Sequence, residues 1–192
     1  MPLTKIQSLG ITDGTIVNAD INASAAIAGT KLSGAGKVLQ VVSTTKTDTA
    51  SISSTTYGDI TGLSVSITPS SASNKILIIA DISGASNSGN AGVGFRIKQT
   101  ISAADTFPYL GASAGSRTQA SFGAYVASDD NFTGKFSSSV LLSPSTTSAI
   151  TYTYQFRSQT TDPVYLNRSV DDGDGANTYR NASSITAMEI AG

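Results

Sequence analysis

The sequence predicts an all-β protein, with a C-terminal antiparallel β-sandwich preceded by an extended N-terminal arm. Three observations carry this. Lys75–Gly84 reads as a central strand, with Ile76, Ile78, Ala80 and Ile82 on one face and Leu77, Ile79 and Asp81 on the other. From residue 37 onward, short alternating segments recur between turn residues without a convincing helix, a pattern that suits a sandwich of jelly-roll topology. The first 34 residues follow a different spacing altogether.

In that first segment Ile6, Ile11, Ile16 and Ile21 recur at every fifth position, Ala26 follows, and Ile27 and Leu32 come one position late. Gly10, Asp13-Gly14, Asn18-Ala-Asp20 and Gly29 lie between them. A period of five is neither the two of a strand nor the 3.6 of a helix, and it suggests a repeating extended path. Ala19-Asp20-Ile21 matches one unit of a pentapeptide β-helix, but so few turns cannot bury their isoleucines alone. In a trimer those side chains could face a common axis. The plainer alternative is an unstructured arm with coincidental spacing. On the ordered reading, residues 1–34 attach and oligomerise, and Ile6, Ile11, Ile16, Ile21, Ile27 and Leu32 are the candidate assembly residues.

Ser33-Gly-Ala-Gly36 contains the hinge, placed at residues 35–36, and the head is expected to span 37–192. Val38–Ser43 is the first expected strand, followed by a polar Ser/Thr stretch and Tyr57–Ile60. Leu63, Val65 and Ile67 alternate with Ser64, Ser66 and Thr68, which predicts a half-buried strand. Pro69–Asn74 turns the chain into Lys75–Gly84, where Gly84 marks the next turn. Val93, Phe95 and Ile97 alternate with Gly94, Arg96 and Lys98, after which a long irregular region carries Phe107-Pro-Tyr-Leu110 and Arg117. Further strands are expected around Phe122, Ala124 and Val126, and over Phe136–Leu142 before Pro144. The clearest amphipathic strand has Ile150, Tyr152, Tyr154 and Phe156 facing inward and Thr151 and Thr153 outward. Val164–Leu166 is short, and Ser184–Ile190 closes the chain, which predicts a C-terminus paired within a sheet.

Composition removes several classes of chemistry. The chain has 192 residues and no Cys, His or Trp, which excludes disulfides, Cys/His zinc sites and a Ser-His-Asp triad. A net charge of −1 gives no electrostatic footprint for nucleic acid. No window approaches the roughly 18 apolar residues of a membrane span, and the first residues lack a signal-peptide core. Charged residues are 13%, against about 25% in an ordinary soluble domain, and Ser and Thr take their place, as in a β-rich protein packed against partners.

The one acidic cluster is Asp171-Asp-Gly-Asp-Gly175, where Asp171, Asp172 and Asp174 could offer oxygens to a cation. No Glu stands at the twelfth position of an EF-hand loop, so a solvated turn is the competing reading, and no metal or other cofactor is expected. Three acids on one loop do not supply the opposed pair a glycosidase needs. The glycines around Gly10–Gly14 and Gly92–Gly94 lack phosphate-loop spacing. Sequons at Asn22, Asn131, Asn167 and Asn181 fit chance in Ser/Thr-rich text. Tyr109, Tyr125, Tyr165 and Tyr179, with Arg117 and Arg180, could stack on sugars, although such tyrosines more often serve a core or an interface.

Several segments carry a family likeness: Gly36–Ser43, Thr61–Pro69, Ser73–Ile78, Val164–Ser169, Ser183–Ile190, and in the leader Asp13–Ile21 with Ala25–Leu32. On these the chain resembles the small virion proteins of tailed phages, notably those infecting cyanobacteria and other aquatic bacteria. The likeness spans most of the chain but not residues 100–133. It implies a homotrimer whose arm binds other virion proteins of tail or capsid, with an exposed β-domain that could meet a host-surface glycan. It implies no catalytic motif, so no enzyme is expected. The leading expectation is a trimeric tail-fibre protein on the phage particle, and the alternative is a capsid decoration protein.

Overall fold

The computed structural model describes residues 36–86, 92–124 and 131–192. Ile6, Ile11, Ile16, Ile21, Ile27 and Leu32 lie outside the described residues, as do Tyr125 and Val126. The chain divides into two units, residues 1–34 and 35–192, and the second is all-β.

Its strands are β1 (Val38–Lys46), β2 (Ala50–Ile52), β3 (Gly58–Ile67), β4 (Lys75–Ser86), β5 (Val93–Ile101), β6 (Ala104–Thr106), β7 (Phe122–Ala124), β8 (Gly134–Leu142), β9 (Ile150–Ser158), β10 (Val164–Leu166) and β11 (Ser183–Ile190). They form two antiparallel sheets. In sheet A, β11 lies between β1 and β4, β8 covers the other edge of β4, and β10 continues the line of β11 to pair with the far end of β4 and with β2. In sheet B, β3 pairs β9, β9 pairs β5, and both β6 and β7 pair β5. Taking β1/β2, β6/β7 and β10/β11 each as one interrupted strand, the orders become β1–β11–β4–β8 and β3–β9–β5–β6. That is the jelly-roll arrangement, in which successive strands keep changing sheets.

The core follows from the pleat. Ile76, Ile78, Ala80 and Ile82 on β4 face Val65, Ile67, Phe95, Ile97, Tyr152 and Tyr154 from the other sheet within one buried cluster. Ile150, Tyr152, Tyr154 and Phe156 are all buried, and the intervening threonines are half-buried on the outer side, as the alternation predicts. The final strand, Ser183–Ile190, is paired on both edges, with β1 and with β4.

One turn expectation requires correction. Gly84 does not end the central strand, because β4 runs on to Ser86. A Cβ at Gly84 would come within 3.0 Å of the Tyr165 carbonyl, so glycine is there to let the β10 backbone approach. Gly58–Ile60 and Leu63–Ile67 belong to one strand, β3, joined through a bulge. Gly62 adopts a left-handed φ of 81° there, and the register slip lets Ile60 and Leu63 both point inward.

One buried carboxylate staples the sheet edge to the β3–β4 turn. Glu189 is 1% exposed and accepts four hydrogen bonds, from Asn74 Nδ2 and Gln40 Nε2 at 2.6 Å and from Ser70 N and Oγ at 2.6 and 2.8 Å. Burial pushes its carboxyl upward, but the donors from Asn74, Gln40 and Ser70 outweigh that and hold it below its ordinary 4.5. With the folded value depressed, the stabilisation is complete above the unfolded value and lost as pH falls toward the folded one. Glu189→Gln places an amide donor against Asn74 and should cost about 2–3 kcal/mol near neutrality. Urea unfolding checks this. The variant's midpoint should also fall less than the wild type's between about pH 6 and about pH 3.

Candidate binding groove and assembly face

The outer face of sheet B carries an ordered polar network. The Arg96 guanidinium lies between two rings, 4.2 Å from the centroid of Tyr57 and 3.8 Å from that of Phe107. Its Nε donates to Gln155 Oε1 at 2.7 Å, and Gln155 Nε2 donates to Asp59 Oδ1 at 2.6 Å. Lys98 Nζ donates to the other Asp59 oxygen at 2.7 Å. Burial raises the Asp59 carboxyl, but hydrogen bonds from Lys98 and Gln155 and the charges of Lys98 and Arg96 bring it below its usual range. Burial also pushes the Tyr57 phenol up against the opposing charges of Arg157 and Arg96, so it stays protonated and donates to the Gln119 carbonyl at 3.0 Å.

Beside this network opens a groove of about 510 Å³, walled by Tyr57, Arg117, Thr118, Arg157 and Gln159. Its floor includes Gly92, Gly94 and Gly123, of which Gly94 and Gly123 are cross-strand partners on β5 and β7. A Cβ at Gly94 would come within 3.0 Å of Tyr57 Oη and 3.3 Å of Arg157 Cγ. Glycine at that position is what lets both side chains lie down over the sheet. Arg157 Nε donates to the Thr55 carbonyl at 2.6 Å, and Gln159 Oε1 accepts from Gly92 N at 3.3 Å. No carboxylate lines the groove among the described residues.

The outer face of sheet A is different in kind. Val41, Met188, Leu77 and Leu141 stand in one cross-strand row over β1, β11, β4 and β8. Val41 is 54% exposed and Leu141 50%, and the neighbouring Leu39 and Ile79 are exposed as well. This row lies at the end of the sheet where the arm joins. Gly36 N donates to the Ala191 carbonyl and Ala191 N to the Lys37 carbonyl, at 2.9 and 2.8 Å.

The acidic loop is largely internally compensated. Asp171 Oδ1 accepts from Gly173 N at 2.9 Å, and Asp172 pairs with Arg180 at 2.5 Å and Arg168 at 3.7 Å. Asp174 contributes to no cation-binding group, and none is found among the described residues. Of the candidate sugar-stacking residues, Arg117 lines the groove, whereas Arg180 is held by Asp172. Tyr165 packs on Arg168 at 3.8 Å, and Tyr179 stacks on Phe132 with centroids 6.3 Å apart. The Asn167 sequon cannot accept a glycan on this fold. Its side chain is buried and its Nδ2 donates to the carbonyls of Lys46 and Asp48 at 2.9 Å. Tyr57, Arg157 and the glycine floor escaped the sequence reading. The one available signal was glycine inside the alternating Val93–Ile97 segment, which marks close approach by another group.

No protein-family model matches the chain, and no curated protein matches it.

Proposed function

We propose that this chain is a structural protein of a tailed-phage particle, a trimeric tail-fibre subunit attached through residues 1–34 with the sandwich as an exposed head. The observation that carries the reading is the unpartnered apolar row of Val41, Met188, Leu77 and Leu141 beside the residue where the arm joins. Sister chains meeting on that face would bring their Gly36 residues, from which the arms continue, near one another. The arms need such neighbours. Each buried isoleucine contributes about 1.5–3 kcal/mol, whereas ordering each residue of backbone costs about 1–2 kcal/mol. The isoleucines of one arm do not offset that within one chain. The jelly-roll fold, shared by viral capsid and lectin domains, and the chain's resemblance to small virion proteins support the same role.

Removal of residues 1–34 tests the attachment. The truncated chain should keep the melting transition of the head and be missing from purified particles, and Ile11→Asp with Ile16→Asp should reproduce the loss. Particles that carry the truncated protein at normal copy number would refute the arm's role.

A further inference from the structure

We infer that the groove on the outer face of sheet B binds an acidic saccharide, a pyranose bearing a carboxylate. The floor is the first reason. Glycine in a strand interior weakens the strand, and here Gly94 of β5 and Gly123 of β7 lie opposite one another, with Gly92 lining the same groove just before β5. Close packing by Tyr57 and Arg157 accounts for Gly94, but not for Gly123. A Cβ at Gly123 would meet only the Val93 carbonyl, at an ordinary 3.7 Å, so the fold itself does not demand glycine there. What its absence of a side chain preserves is a bare floor on which a flat ring can lie.

Charge is the second reason. Arg117 has no hydrogen-bond or ion-pair partner for its side chain among the described residues, and Arg157 uses only its Nε as a hydrogen-bond donor, with its guanidinium 5.9 Å from the Tyr57 ring centroid. Two guanidiniums thus line one groove with donors to spare and no described carboxylate to neutralise them. A guanidinium matches a carboxylate in a planar, two-pronged geometry. Thr118 and Gln159 add a hydroxyl and an amide suited to ring hydroxyls. Tyr57 edges the groove, with the Arg96 guanidinium 4.2 Å and that of Arg157 5.9 Å from its ring centroid. Its orientation is fixed by the Gln119 hydrogen bond and the Arg96 stack, so little ordering remains to be done on binding. The volume falls within the usual range for ligand sites of about 300–1,000 Å³. A bare anion would use the arginines but not the floor, which is why a charged sugar fits better than phosphate alone.

The inference rests on the exposed-head reading only for the source of the sugar, a glycan on the host surface. Its test uses the isolated full-length chain, so loss of the groove's affinity and absence from the particle are separate failures. Glucuronic acid, glucose and inorganic phosphate are titrated in turn, with binding followed by calorimetry and by amide chemical shifts. Glucuronic acid should bind at least about tenfold tighter than either of the others, a difference of about 1.4 kcal/mol. Shifts should centre on Gly94, Gly123 and Arg157. Arg117→Gln, on an exposed loop, and Gly123→Val, which fills the floor, should each weaken binding at least about tenfold, with circular dichroism unchanged. Equal binding of glucose, equal binding of phosphate, or affinity untouched in both variants would overturn the assignment.

Discussion

Phe95→Ala should lower the stability of the head by about 3–5 kcal/mol, the cost of a large aromatic lost from a packed core. Phe95 is 1% exposed. Its ring lies 4.9 Å from Phe122 within sheet B and 5.9 Å from Phe136 on β8, so it links the two sheets at one end of the sandwich. Phe122 in turn reaches Tyr154 at 6.2 Å, and the cavity left by Phe95 would loosen both of its ring neighbours. For a domain of this size each kcal/mol moves the melting temperature by about 2–4 °C, so a fall near 10 °C is expected in a thermal melt. Phe132→Ala serves as the control. Its ring is 54% exposed, and the change should stay within about 1 kcal/mol. A melt unaltered by Phe95→Ala would contradict the packing described.

The second large effect concerns assembly. Val41→Asp with Leu141→Asp places two carboxylates in the apolar row without touching the core, because both side chains point away from sheet B and are half exposed already. If sister chains cover that face, losing the remaining apolar burial of these two half-exposed side chains costs about 1.5–3 kcal/mol per interface and desolvating two carboxylates adds to it, so the dissociation constant should rise at least about tenfold. Sedimentation should then show a trimer for the parent and a monomer with an unchanged melting curve for the variant. A variant that remains trimeric would move the interface elsewhere.

Much of this fold was legible because its strands are half-buried. Ile150 to Phe156 alternates without interruption, one face belongs to the core, and the register follows. Val164–Leu166 was legible with its observed bounds, and the closing strand starts one residue earlier, at Ser183. Two short strands were not. Ala50–Ile52 exists through its pairing with β10, and three residues carry too little periodicity to announce it. Ala104–Thr106 folds back on β5 through Ser102 and Ala103, both left-handed at φ 49° and 66°. Such a hairpin turn usually announces itself with Asn-Gly or Asp-Gly, and Ser-Ala does not. The groove was illegible for another reason. Tyr57, Gly94, Arg117 and Arg157 come from segments far apart in the chain and meet only once the strand order is known. The apolar row was partly visible, since Leu77 and Ile79 already make the central strand apolar on both faces.

Locating the protein by microscopy tests the proposed tail-fibre role most directly. Purified phage, labelled with a gold-conjugated antibody raised against residues 37–192 and imaged by electron microscopy, should carry label on the tail fibres. Label spread over the capsid lattice would contradict the tail-fibre role and make the chain a decoration protein, and particles without label would contradict a virion role altogether.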